Sequence, residues 1–216
     1  MSPSHHTITQ VEALKRPRGH CAVYVDGEPA LKAHRESVLA AGLRPGQELG
    51  KEELENALRV VQEADALRQA FDYLGGRDRT ETELRRRLGS RKFPQPIIAT
   101  VLDRLRKQGL IDDRRYAREC VRTQSARRGL GPRALYGKLV QRGVASSLVE
   151  EALVEELPDA EQESIAETLA RTRLSRLRGA SREEARPRLY QFILRRGFDP
   201  DIAARAIDRV LGDRED

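Results

Sequence analysis

Cysteine is nearly absent: Cys21 and Cys120 are the only two in 216 residues. Two are too few for a disulfide framework or a cysteine-based zinc cluster. Aromatic residues are scarce as well, five tyrosines and four phenylalanines, mostly at core-like positions. That weakens any platform on which the bases of a single strand would stack. Long hydrophobic runs are missing too. The longest stretch free of Asp, Glu, Lys and Arg is the first 11 residues, and it is polar. Neither a membrane span of ~18 apolar residues nor the apolar segment of a signal peptide is therefore expected, and the chain reads as cytoplasmic.

Charge and helix formers fill the composition instead. Ala, Leu and Arg together supply 84 residues, which favours helix, and apolar residues recur along nearly the whole chain, which argues against disorder. The net charge of +6 is uneven. Residues 1–65 carry net −2 and residues 156–216 net −1, whereas residues 66–155 hold 20 basic and 11 acidic side chains, net +9. A localised basic surface suits an anionic partner, either nucleic acid or an acidic protein face. Solvated helix faces, or codon usage that yields 34 arginines against 6 lysines, account for the same excess.

An internal repeat organises this middle segment and the C-terminal one. Leu84–Arg106, Leu135–Leu157 and Leu189–Leu211 align without gaps, offset by 51 and 54 residues. The first position and the fourth after it (Leu84/Leu88, Leu135/Leu139, Leu189/Ile193) share one face of a short helix. Lys92, Gly143 and Gly197 then occupy a left-handed capping position. A second helix is predicted from near Pro94–Gln95, Ser146 and Asp199-Pro200. An amphipathic stretch precedes each copy, and Thr80 with Glu83 and Ser181 with Glu184 read as capping boxes. The expectation is a mainly α fold: three tandem three-helix repeats in an elongated curved array, at 66–110, 111–157 and 158–216. A small N-terminal extension over 1–65 adds a β-hairpin around Asp26-Gly27-Glu28 and short helices near 37–41 and 51–64.

Catalytic groups are hard to find. His5, His6, His20 and His34 lack metal-ligand spacing, and His5-His6 reads as a disordered tail. Cys21 and His20 point to opposite faces if they lie on a strand. Cys120 sits at helical spacing from Tyr116 and reads as core. Asp112-Asp113 reads as a helix cap facing Arg114 and Arg115 rather than as a catalytic carboxylate pair. Gly46–Lys51 lacks the glycine spacing and the magnesium-binding hydroxyl of a phosphate loop, and no dinucleotide fingerprint, hydrolase elbow or HExxH motif occurs. An enzyme is not expected, nor a cofactor or a small-molecule substrate.

A helical array without catalytic groups works through its surfaces. Arg85, Arg86, Arg87 and Arg91 surround the Leu84/Leu88 stripe. Arg114, Arg118 and Arg122 follow at four-residue spacing, and Arg127, Arg128, Arg133, Lys138 and Arg142 continue the series. These twelve are the candidate residues for contact with phosphate or carboxylate.

Five motifs carry a family likeness. Gly109–Ala117 (GLIDDRRYA), Ser125–Leu135 (SARRGLGPRAL) and Lys138–Val144 (KLVQRGV) resemble the bacterial RecX regulatory proteins. Tyr24–Gly27 (YVDG) is similar to the N-terminal extension many members carry, and Thr80–Leu88 (TETELRRRL) to the first repeat. The resemblance runs from about Thr7 to Leu211. It implies a non-enzymatic regulator that binds the RecA recombinase filament, restrains its ATP hydrolysis and strand exchange, and can bind single- or double-stranded DNA. ATP and magnesium would belong to the partner. The competing reading is a stand-alone DNA-binding regulator acting through its central basic helices.

Overall fold

The computed structural model describes residues 5–177 and 179–212. Four strands come first: β1 (His5–Ala13), β2 (His20–Val25), β3 (Glu28–His34) and β4 (Glu48–Gly50). They form one antiparallel sheet in the order β3-β2-β1-β4. The predicted hairpin joins β2 to β3, with Asp26 and Gly27 both at positive φ (52° and 88°), the backbone of a tight primed turn.

His5 and His6 do not form the expected disordered tail. Both residues belong to β1, an inner strand paired with β2 on one side and β4 on the other. Ile8 is fully buried. His6 Nδ1 lies 2.7 Å from Asp26 Oδ2, and the Thr7 N–H donates to Asp26 Oδ1 at 2.8 Å. These two contacts, the Thr7 N–H first, hold the Asp26 carboxyl below its usual range. Ile8 and Val11 alone give the segment little alternation, and its stability comes from distant backbone pairing that no local pattern records.

The sheet packs on α1 (Arg35–Ala40) and on the start of α2 (Lys51–Leu74), burying Cys21, Val23, Ala33, Val38, Leu54 and Val61 around Ile8. Where a short helix over 51–64 is predicted, α2 instead runs unbroken for 24 residues. No Gly or Pro interrupts it, so nothing stops helix propagation. Leu54 and Val61 serve the sheet's core, whereas Ala66 and Ala70 enter the next one. Between them, buried Asp65 accepts the His34 N–H (3.1 Å) and the Gln69 amide (3.0 Å). At the start of α2, the Glu53 carboxylate accepts the Gly50 N–H at 2.9 Å. A carboxylate thus stands where a phosphate loop would hold its anion.

The remaining helices are α3 (Glu81–Ser90), α4 (Gln95–Lys107), α5 (Asp113–Arg128), α6 (Pro132–Gln141), α7 (Ser146–Glu156), α8 (Asp159–Leu174), α9 (Arg182–Arg195) and α10 (Pro200–Gly212). They complete three three-helix sets, and the repeat positions Leu84/Leu88, Leu135/Leu139 and Leu189/Ile193 are all fully buried. Lys92, Gly143 and Gly197 stand at φ of 64°, 85° and 90°, so the left-handed cap recurs in each set. Both predicted capping boxes form: the Thr80 N–H donates to Glu83 at 3.2 Å and Glu83 N–H to Thr80 Oγ1 at 3.1 Å, with Ser181 and Glu184 matching them.

The described residues divide into two compact units. The first takes those up to Arg79 together with Leu84–Ile111, and the second takes Thr80–Glu83 with those from Asp112 onwards. In the second unit, Thr80 Oγ1 donates to the Arg142 carbonyl (2.7 Å) and Thr82 Oγ1 to that of Gly143 (3.0 Å). The short 80–83 segment is thereby stitched to the α6–α7 turn. Among the described residues, no helix is long and apolar enough to cross a membrane.

Candidate functional site

The acidic pair before α5 behaves in two ways. Asp112 caps the helix, its Oδ1 accepting the Arg115 N–H at 3.0 Å. Asp113 turns away from the arginines and accepts the Glu81 N–H at 2.9 Å instead. Burial raises the Asp113 carboxyl above its ordinary range, against the pull of that hydrogen bond. Capping therefore starts α5 with the next residues, Arg114 and Arg115, on its exposed surface.

Four-residue spacing then places Arg114, Arg118 and Arg122 along one exposed face of α5. The structure sets an acidic row opposite them. Arg114 pairs with Glu151. Arg118 Nε lies 2.8 Å from Glu156 and 3.2 Å from Glu155. Arg122 pairs with Glu119 one turn back on its own helix. A surface cleft of about 290 Å³ runs along this face, with Arg114, Arg115, Arg118 and Arg122 set against Asp112, Glu119 and Glu156. Hydrogen bonding to Glu156 pushes the Arg118 guanidinium higher still. The acidic residues are plain in the EEALVEE stretch, but only packing of α7 on α5 shows what they face. Water screens exposed pairs of this kind, so the carboxylates offset the cationic charge without locking it.

Several other candidates also have internal partners. Arg133 Nε lies 2.6 Å from Asp199. Half-buried Lys138 donates to the Gln124 carbonyl oxygen at 2.7 Å. Arg142 hydrogen-bonds the Tyr116 hydroxyl and lies 5.9 Å from that ring's centroid. Arg127 and Arg128 end α5 in the open, where their charge also suits the helix C-terminus. Cys120, on the same helix, is half-buried; burial raises its thiol, opposed by Lys138 and Arg142. The raised pKa keeps it a thiol rather than a nucleophilic thiolate.

The first unit holds the other row. Arg85, Arg86 and Arg87 are exposed on α3 and Arg91 in the turn just after it, while Leu84 and Leu88 anchor the helix. Arg87 and Arg91, four residues apart, border a cleft of about 320 Å³ together with Arg68, Asp72 and Tyr73 of α2 and with Pro17 and His20. Arg79 and Arg87 carry their guanidinium carbons 4.2 and 5.6 Å from the Tyr73 centroid. Tyr73 and Arg79 are not among the residues singled out from the sequence, because a cation over a ring leaves no spacing signature. Among the described residues no group of three or more His, Cys, Asp or Glu is placed to hold a metal ion.

Tandem three-helix sets with arginine-rich faces define a helical-repeat protein. Family models sharpen the class: the first three-helix domain of RecX matches residues 66–105 and the second matches residues 112–153. The regulatory protein RecX of Levilactobacillus brevis is 32% identical over 200 residues, spanning 93% of this chain and 74% of that protein. That of Thermobifida fusca is 38% identical over 133 residues, spanning 62% and 71%. A crystal structure of a regulatory protein RecX superposes with a TM-score of 0.66 at 27% identity, over 97% of this chain and all of that one. The chain belongs to the RecX family of regulatory proteins.

Proposed function

We propose that this protein is a non-enzymatic cytoplasmic regulator that binds the RecA–DNA filament and restrains RecA ATP hydrolysis, strand exchange and recombinational DNA repair. One observation carries the reading: RecX relatedness extends along nearly the whole chain and includes both matched three-helix domains. The arginine-rich faces of α3 and α5 support it physically, since guanidinium groups meet carboxylate and phosphate with equal geometric ease.

The test is the single-stranded-DNA-dependent ATPase rate of the cognate RecA, with this protein titrated in at two salt concentrations. Inhibition well below DNA-saturating amounts is expected. Inhibition only once the protein coats the DNA would favour a stand-alone DNA-binding regulator, and no inhibition would overturn the proposal. Neutral substitution of Arg85, Arg86, Arg118 and Arg122 by glutamine should weaken inhibition with helical content unchanged. Glutamine is preferable to charge reversal, because a carboxylate at 118 would face Glu155 and Glu156.

A further inference from the structure

The two arginine-lined clefts differ in what opposes their charge. Along α5, four arginines meet three carboxylates within the cleft, and Glu151 and Glu155 add two more partners beside it. In the first unit, Arg68, Arg87 and Arg91 meet one carboxylate within the cleft, Asp72, and Arg68 pairs with it at 3.0 Å while also reaching buried Asp65 beside the cleft at 3.5 Å. Arg91 has no ion pair among the described residues, and Arg87 is held by the Tyr73 ring rather than by an acid. A guanidinium over an aromatic face keeps its N–H donors available for a bidentate anion.

We propose that this first-unit cleft, between α2, α3 and the Pro17–His20 stretch, is a binding site for the phosphodiester backbone of a nucleic acid strand. Arg87 and Arg91 are the principal phosphate ligands, one in the last turn of α3 and the other in the turn that follows it, so one strand can be met at two points. The volume of about 320 Å³ takes a phosphate together with its sugar, whereas a lone carboxylate would leave most of it to water. Tyr73 is already occupied by two guanidinium groups, so the contact is to backbone and not to stacked bases. The α5 row, by contrast, is largely neutralised by α7 and by Glu119, and contributes little to strand binding. The inference rests on the proposed function for its setting, naming the surface that would meet the filament's DNA.

The experiment uses the full chain without any recombinase, measuring anisotropy of a labelled oligothymidylate across a salt series. The Arg87→Gln/Arg91→Gln double variant should lose ~tenfold in affinity at low salt and flatten the log–log salt dependence by ~1.4, about 0.7 for each phosphate no longer neutralised. The Arg118→Gln/Arg122→Gln variant should stay within ~threefold of the unmodified chain. Circular dichroism checks that both remain folded. Unchanged affinity in the first variant, a larger loss in the second, or no binding by the unmodified chain would each overturn the site. Competition by polyglutamate as effective as that by unlabelled DNA would overturn its assignment to nucleic acid. RecA inhibition assayed separately keeps the two proposals distinguishable, since it can persist when strand binding is lost.

Discussion

Replacing Gly197 by alanine strikes the place where the turn between α9 and α10 meets the start of α6. Gly197 has φ of 90°, and a Cβ there would lie 2.5 Å from the Ala134 nitrogen and 2.6 Å from its Cβ. In the same turn the Arg196 carbonyl accepts the Gly131 N–H at 2.8 Å, and the Gly197 carbonyl accepts the Arg133 N–H at 3.0 Å. A left-handed residue bearing a Cβ costs ~1–2 kcal/mol. Relieving the overlap means separating two backbones, which sacrifices both hydrogen bonds at ~1 kcal/mol each. The expected loss is therefore ~3–4 kcal/mol, or roughly 6–15 °C in Tm for a chain of this size. Urea and thermal unfolding followed by circular dichroism read it directly. Gly137, inside α6 with open space where a Cβ would stand, is the control. Gly137→Ala should stabilise by ~0.5–1 kcal/mol, because it only removes unfolded-state freedom. Gly197→Ala within ~1 kcal/mol of the unmodified protein would refute the close-approach argument.

Thr80→Val keeps the shape of a fully buried side chain but deletes its bonds to the Arg142 carbonyl and the Glu83 N–H; denaturant titration should register a loss of ~2–4 kcal/mol. Two carboxylates should bend the pH dependence of stability in opposite directions. Hydrogen bonds from Arg205 and then Arg209 lower Glu163, so its stabilisation is present above the carboxylate range and fades as pH falls; Glu163→Gln should flatten that acid-side loss. Burial raises Asp113, so the folded state is favoured while the group is protonated and loses ground as it ionises. Asp113→Asn keeps an acceptor for the Glu81 N–H and should gain on the unmodified protein as pH rises through and above the carboxylate range. Parallel pH profiles for Glu163→Gln, Asp113→Asn and the unmodified chain would contradict both assignments.

Sequence by itself determined the helical sets. Leu84/Leu88, Leu135/Leu139 and Leu189/Ile193 recur at helical spacing, Gly143 and Gly197 terminate helices locally, and Thr80/Glu83 and Ser181/Glu184 start them. Each of these signals is complete within about one turn of chain, so no tertiary information is needed to read it. The hairpin at Asp26-Gly27 was legible for the same reason. Tertiary structure decided the rest. Strand β1 exists because β2 and β4 satisfy its backbone, and α2 joins two cores because Leu54 and Ala70 face different neighbours. It also decided which arginines remain available. Arg118 and Arg87 look alike in sequence, yet one faces Glu155 and Glu156 while the other lies over Tyr73. A charge's partner is set by whatever element packs beside it, and that neighbour is invisible to local periodicity.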